Sequence, residues 1–326
     1  MPSVLVFGAT GFLGAPLIRA IVDAHPDWKV TAYTRGSQHP EELKHDLGVD
    51  RVEVGDFTEF EKIKALCKEH DIAVNAGNSF TDSPISAIVA GLRARPSESK
   101  GKLLHISGAG NFLDMGVTGA FNPESKVWDD ESEDDIKLVN DKMFNGPSDV
   151  VALEAGRDGS VETYVVCTPV TYGGAAIRSK SIGIGYALIT GNAKPLGYVP
   201  YVGDGSAVLS TAQLMDVVPF MLKVLELAAS GPAQGSVYSR WYNVETQRVT
   251  WKELATELAR VMYEKGIFES PEPKSVPLEE AGQGEVKYLV AGNMLMKTNR
   301  SAKMGFKATH PSILVQIHED LRDVAL

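Results

Sequence analysis

Seven residues near the start of the chain, Gly8-Ala9-Thr10-Gly11-Phe12-Leu13-Gly14, follow the apolar run Val4 to Phe7 and lead into a helical pattern from Ala15 to Ala24. A strand, a glycine turn and a helix start, in that order, are what a dinucleotide pyrophosphate requires. Gly8 permits the tight turn, Gly11 lets backbone approach the phosphates, and Gly14 lets the helix lie close to the sheet. The unpaired N–H groups of the first helical turn then face the anion. A glycine triplet alone also serves as a plain β-to-α turn, but its place at the end of the first strand favours cofactor binding.

The second strand-like run ends Thr31-Ala32-Tyr33-Thr34-Arg35-Gly36. A carboxylate at this point would hold the ribose 2′-hydroxyl of NAD, whereas a guanidinium grips a 2′-phosphate with two hydrogen bonds. Arg35, beside Thr34, therefore points to NADP(H); the alternative is a solvated arginine on a loop. Asp56, after the third run, is placed to accept from the adenine amino group. A helix cap at Asp56 or Thr58 explains it as well.

These residues need a scaffold, and the apolar pattern supplies one. Strand-like runs recur at Val30 to Tyr33, Val52 to Val54, Ile72 to Asn75, Leu103 to Ile106 and Val161 to Cys167, with helical or polar segments between them. Such alternation predicts an α/β fold, a doubly wound and mostly parallel Rossmann sheet covered on both faces. In 57–70, Phe57, Phe60, Ile63, Leu66 and Cys67 fall at helical spacing, and 83–94 repeats the pattern more weakly. The dinucleotide-binding core is expected over 1–170, joined by strands near 208–216 and 240–245. Residues 171–326 are expected to form mainly a smaller C-terminal α/β lobe that carries the substrate wall. Within it, Gly173 to Gly205 reads as a Gly/Pro-rich connection, Asp216 to Ala229 as a helix, and 266–285 as a surface loop. A further helix opens at Thr250 with Glu253 three residues on, a capping box, and has Trp251, Leu254, Leu258 and Val261 on one face.

Composition narrows the function classes. The net charge of −10 argues against a nucleic-acid partner, because no basic cluster exists to neutralise phosphates. The two cysteines, Cys67 and Cys167, suggest no disulfide framework, and the seven histidines show no metal-ligand spacing, so no metal is expected. The short N-terminal apolar run is no signal peptide, and the apolar stretch 217–229 carries Lys223 and Glu226, so no membrane span is expected. A cytoplasmic protein with a small-molecule substrate is the expectation, as monomer or homodimer.

The glycine motif, Gly55-Asp56-Phe57, Val74-Asn75-Ala76-Gly77 and Ile106-Ser107-Gly108 together resemble the short-chain dehydrogenase/reductase superfamily. The segment CTPVTYGG at 167–174, Gly203-Asp204-Gly205 and the stretch Asn299 to Lys307 resemble its extended branch, that of the nucleotide-sugar epimerases and dehydratases. The resemblance spans essentially the whole chain. It implies that Gly8, Thr10, Gly11, Phe12, Leu13 and Gly14 hold pyrophosphate, Arg35 the 2′-phosphate, and Asp56 with Phe57 the adenine. It further implies Asn75, Ala76 and Gly77 along the ribose, and Ser107, Thr168, Pro169 and Val170 near the nicotinamide.

The match fails where the chemistry is decided. The superfamily uses a Tyr-x-x-x-Lys pair, phenol and ammonium one helical turn apart, to move a proton. Here none of the ten tyrosines has a lysine four residues later, and the expected place falls near Gly146-Pro147-Ser148-Asp149-Val150. This loss is similar to that in the NmrA-like and isoflavone-reductase-like groups. Three residues are candidates to take over. Ser107 stands where the superfamily has its active-site hydroxyl, or else caps the turn Gly108-Ala109-Gly110. Lys142 is a base or donor by the isoflavone-reductase resemblance, or else a solvated lysine beside Asp141. Tyr172 offers a phenol to the crevice, or else packs under the lobe. His105 reads as a satisfied core histidine, and the acidic run 129–135 as a solvated loop.

The chain is thus expected to be an atypical NADP(H)-dependent oxidoreductase acting on a small carbonyl, imine or enone, in a setting such as secondary metabolism. Two alternatives stay open: an epimerase, isomerase or cyclase with recycled or structural NADP, and a non-catalytic NADP-binding redox sensor.

Overall fold

A computed structural model describes residues 1–36, 40–115, 117–174 and 182–326. Along the chain the elements are β1 (Ser3–Phe7), α1 (Gly14–Ala24), β2 (Lys29–Thr34), α2 (Pro40–Leu47), β3 (Arg51–Val54), α3 (Phe60–Glu69), β4 (Ile72–Asn75), α4 (Ser83–Arg93) and β5 (Lys102–Gly108). There follow β6 (Val127–Asp129), α5 (Glu133–Ile136), α6 (Gly146–Arg157), β7 (Glu162–Thr168), β8 (Val170–Tyr172), α7 (Ile184–Leu196), β9 (Pro200–Val202), β10 (Val208–Gln213) and α8 (Leu214–Ala229). The last are β11 (Trp241–Asn243), β12 (Gln247–Thr250), α9 (Trp251–Glu264), β13 (Lys274–Val276), α10 (Val286–Leu289), β14 (Leu295–Lys297), α11 (Asn299–Lys303) and α12 (Ile313–Arg322).

Two compact units divide these elements. The first comprises Met1–Asn111, Asp130–Cys167 and Val218–Tyr242. Its sheet has seven strands in the order β11-β7-β5-β4-β1-β2-β3. The pairs β1 with β2, β1 with β4, β2 with β3 and β4 with β5 are parallel. This is a doubly wound Rossmann-type sheet, and the strand order reverses between β1 and β4, where such sheets open a crevice at their C-terminal edge. The register sets Phe7 opposite Asn75 and Asn75 opposite His105, so the ends of β1, β4 and β5 form one row at that edge.

Apolar burial explains the sheet. Val4, Leu5, Val6 and Phe7 have no exposed surface, because β1 is covered on both faces. One side is closed by Leu5, Phe7, Tyr33 and Leu103 against Ile63 and Leu66 of α3 and Ile85, Ile88 and Leu92 of α4. Phe57 and Phe60 depart from the spacing read in the sequence: Phe57 precedes α3, and Phe60 is 42% exposed at its first position. Of the two later segments expected to join this sheet, β11 does so, while β10 pairs instead with β8 and β12.

The second unit comprises Phe112–Asp129, Thr168–Val217 and Asn243–Leu326. It contains the three-stranded sheet β12-β10-β8 and the two-stranded pairs β13-β9 and β14-β6. The capping box at Thr250 and Glu253 is formed, and Trp251, Leu254, Leu258 and Val261 are buried, as their spacing anticipates. Two expectations are corrected. The stretch read as a connection holds α7 and β9, and the stretch read as a surface loop holds β13, which pairs in parallel with β9. The three-residue strands β9 and β13 give too few periods to register as pattern, and Gly185, Gly191 and Pro195 interrupt that of α7.

Among the described residues no helix is long and apolar enough to cross a membrane, and no group of three or more His, Cys, Asp or Glu residues is placed to hold a metal. Both cysteines are free and buried, and burial raises each thiol well above its ordinary range.

In the second unit, Asp320 accepts from the backbone N–H of Gly173 (2.8 Å), and its other carboxylate oxygen is buried. Burial, with a smaller push from Glu319, lifts its carboxyl from 3.8 to about 6. A raised folded-state value means that its stabilising contribution is complete in acid and is lost as pH rises through about 6. Asp320→Asn, which keeps an acceptor but carries no charge, should therefore raise stability at pH 8 by up to about 3 kcal/mol and change it little at pH 4. Urea midpoints at the two pH values check this; equal effects at both would contradict it.

Candidate functional site

Starting at the end of β1, the glycine turn is fixed by close approach. Gly8 has φ of 75°, and a Cβ there would lie 2.5 Å from the carbonyl oxygen of Ala76 and 2.6 Å from the Cα of Gly77. The ends of β1 and β4 can touch only without that carbon. A Cβ on Gly14 would lie 2.1 Å from the Gly8 carbonyl oxygen, so the first turn of α1 rests directly on the glycine turn. Gly11 donates its N–H to Gly8 (2.8 Å), and a Cβ on Gly11 would meet only Gly8 within 4 Å. No side chain caps the N-terminus of α1, and its first turn carries no acid. Its N–H groups and dipole are thus presented to an anion. Thr10 is exposed, with its hydroxyl 3.4 Å from that of buried Thr34, while Phe12 and Leu13 are half-buried.

At the end of β2, Arg35 is exposed and its guanidinium lies over the Phe57 ring, 5.8 Å from the centroid. Phe57 in turn stacks near Tyr33, with centroids 6.3 Å apart. The Asp56 carboxylate accepts from the Thr58 N–H (2.9 Å), and these contacts to Thr58, helped by the Arg35 charge, hold it below the usual carboxylate range. One carboxylate oxygen of Asp56 thus serves the local turn. The Asn75 side chain is buried: its amide donates to the carbonyl of Asn78 (3.0 Å) and faces Nδ1 of His105 (3.2 Å). At the end of β4, half-buried Ala76 and exposed Gly77 therefore offer backbone, not the Asn75 side chain.

The segment where the Tyr-x-x-x-Lys pair is missing opens α6, with Asn145 as its N-cap residue and Asp149 in the first turn. Asn145 and Asp149 are four residues apart and so lie on one helical face. The Asp149 carboxylate has no exposed surface and takes three donors: Ser107 Oγ (2.6 Å), Asn111 Nδ2 (2.5 Å) and His105 Nε2 (2.9 Å). With the Asn75 amide donating to Nδ1 of His105, the imidazole proton belongs on Nε2, toward Asp149. The helix dipole adds to these donors in holding a buried negative charge. Ser148 donates to the carbonyl of Ser79 (2.7 Å), and the Asn145 amide donates to the Ser79 hydroxyl (2.8 Å).

The candidate residues for proton transfer separate clearly. Ser107, 2% exposed, belongs to this network. Lys142 is solvent-exposed in the loop before α6. Tyr172 is fully buried in the second unit and donates its hydroxyl to the carbonyl of Pro311 (2.8 Å), with burial pushing the phenol up to about 12. The hydroxyl thus ties β8 to the segment before α12. Thr168, Pro169 and Val170 are buried and also belong to the second unit. His105 is the satisfied core histidine anticipated. Asp149 carries more than the sequence reading gave it: an acid in the first turn of a Gly-Pro-opened helix reads as ordinary helix chemistry until its partners, about forty residues away, are placed.

The 3-beta hydroxysteroid dehydrogenase/isomerase family matches residues 5–83. An oxidase of Acremonium sp., ucsJ, is 25% identical over 288 residues, covering 84% of this chain and 82% of the relative. Among solved structures, dTDP-glucose 4,6-dehydratase from Bacillus anthracis in complex with NAD superposes with a TM-score of 0.64 at 15% identity, covering 99% of this chain and 96% of the other. UDP-glucose 4-epimerase from Thermotoga maritima gives 0.64 at 13% identity, covering 98% and 97%. Yeast methylglyoxal/isovaleraldehyde reductase complexed with NADPH gives 0.59 at 16%, covering 98% and 96%. With its glycine turn, its strand order and this likeness over nearly its full length, the chain has the fold of the extended short-chain dehydrogenase/reductase superfamily.

Proposed function

We propose that the protein is an NADP(H)-dependent oxidoreductase acting on a small carbonyl, imine or enone. The observation that carries this reading is Arg35, an exposed guanidinium at the end of β2 lying over Phe57, on the same unit as an uncapped α1 N-terminus. The first turn of α1, with Gly8, Thr10, Gly11, Phe12, Leu13 and Gly14, holds the pyrophosphate. Arg35 and Thr34 take the 2′-phosphate, and Phe57 with Asp56 flanks the adenine. Ala76 and Gly77 follow the ribose with their backbone; Ser107, Thr168, Pro169 and Val170 serve the nicotinamide end. When bound, the dinucleotide supplies or accepts a hydride. The oxidase of Acremonium sp. and the NADPH-bound yeast reductase support an oxidoreductase.

A second reading draws on the missing Tyr-x-x-x-Lys pair and on the likeness to a dehydratase and an epimerase: the dinucleotide is recycled within each turnover. Product formed without net change in NADPH absorbance would select it over the first. NADPH bound but never consumed, with no product from carbonyl, imine and enone panels, would leave only a non-catalytic NADP-binding protein.

Two variants test the cofactor assignment. Arg35→Glu should weaken NADPH at least 10-fold and NADH much less, read by tryptophan-to-NADPH energy transfer; equal affinity of the unmodified protein for both dinucleotides would refute the 2′-phosphate assignment. Gly8→Ala forces a Cβ onto Ala76 at a positive φ. It should cost at least about 2 kcal/mol of stability and reduce NADPH affinity 10-fold or more; a variant that binds like the unmodified protein would show that the turn is not a phosphate site.

A further inference from the structure

Arg35 is a charge held by a ring. Among the described residues its guanidinium makes no hydrogen bond and no ion pair; its contact is the Phe57 ring, 5.8 Å from the centroid. That contact uses none of the five N–H donors, so all of them stay available to a ligand. Phe57 in turn is fixed from several sides. Its ring stacks on that of Tyr33 at 12°, with centroids 6.3 Å apart, and Tyr33 lies 5.0 Å from the ring of Phe7, the last residue of β1. The residue before it is pinned as well: the Asp56 carbonyl accepts from the Tyr33 hydroxyl (2.8 Å), and the Asp56 N–H donates to Glu59 (2.5 Å). At the ring edge a Cβ on Gly77 would lie 2.5 Å from Cζ of Phe57, so the missing side chain of Gly77 makes the room that the ring fills. Phe7, Tyr33, Phe57 and Arg35 thus form one line of contacts within the first unit, from the strand that enters the glycine turn to the end of β2.

Building on the 2′-phosphate reading of Arg35, we propose that Phe57 is a positioning residue for cofactor selection: it holds the Arg35 guanidinium ready for a 2′-phosphate, so that preference for NADP(H) over NAD(H) depends on this ring as well as on the charge. An unsupported arginine on a surface samples many rotamers, and gripping a ligand costs that freedom. Contact with an aromatic face at an exposed site raises the population of one orientation about 2- to 5-fold, and apparent affinity rises by the same factor when that orientation is the competent one. Arg35 is also drawn toward Asp56, whose carboxyl its charge helps to hold below the usual range. The ring competes with that attraction and keeps the guanidinium off the carboxylate. Because this help passes through Arg35, it reaches only the dinucleotide that carries the 2′-phosphate. Contact of Phe57 with the adenine is common to NADPH and NADH and cancels from the ratio of their affinities.

The test is a double-mutant cycle on the full chain, read as the ratio of the Kd values of NADH and NADPH by tryptophan-to-dinucleotide energy transfer. The unmodified protein should prefer NADPH about 10-fold or more. Phe57→Leu keeps an apolar side chain against Tyr33 but has no ring, and should lower that preference about 2- to 5-fold. In Arg35→Gln, where the charge is gone, replacing Phe57 as well should move the remaining preference by less than about 1.5-fold. Phe57→Met repeats both steps, so the result does not hang on one variant folding. A Phe57 variant that weakens NADPH and NADH by the same factor would overturn the proposal and leave the ring as a wall for adenine alone. A loss of preference as large without the Arg35 charge as with it would also overturn it, because the effect would then not pass through Arg35. Equal affinity of the unmodified protein for both dinucleotides would sink the 2′-phosphate reading and the proposal together, whereas a preference that survives intact in both Phe57 variants sinks the proposal alone.

Discussion

A carboxylate with no exposed surface must be surrounded by donors, and the three donors of Asp149 come from one short stretch about forty residues before it. His105 and Ser107 lie two residues apart on β5, so they point to the same side of the strand; Asn111 follows in the next turn. Asp149 itself sits in the first turn of α6, where the helix dipole favours an anion. The network therefore fixes how α6 meets the end of β5, and through His105 and Asn75 it reaches β4. Removing one member leaves buried polar groups unpaired, a cost well above the worth of an ordinary surface contact. The edge of the sheet and the start of α6 are held as one piece.

The other half of the edge is held by absence of atoms. Gly8 and Gly14 give the turn after β1 no side chain, so that β4 approaches from one side and α1 from the other. Steric exclusion thus positions the turn after β1, and hydrogen bonding positions the ends of β4 and β5. The register Phe7–Asn75–His105 links the two across three adjacent strands. A shift of one residue in any of these pairings would turn His105 and Ser107 to the opposite face of the sheet.

What the sequence discloses follows from the range of the interactions. The central strands announce themselves as continuous apolar runs, since burial on both faces leaves little room for polar residues. The glycine turn and the Thr250–Glu253 box are legible because their partners lie within a few residues. The placement of α7 and β13 is not, because α7 is interrupted by Gly185, Gly191 and Pro195 and β13 has only three residues. Tyr172 shows the limit for single residues. A phenol in a Gly-rich turn looks available until Pro311, 139 positions later, accepts its proton. Lys142 shows the same limit from the other side: it is exposed, and neighbours in sequence do not report exposure.

Fold likeness and site chemistry separate here in a specific way. The fold is shared with the dehydratase, the epimerase and the yeast reductase, and at under 20% identity that likeness carries no reaction with it. The sequence carries no Tyr-x-x-x-Lys pair, and the helical turn from Asn145 to Asp149 holds an amide and a carboxylate. Through one hydrogen bond Ser107 directs its proton to Asp149, so the turn at the start of α6 and the end of β5 are tied by side chains that lie far apart in sequence.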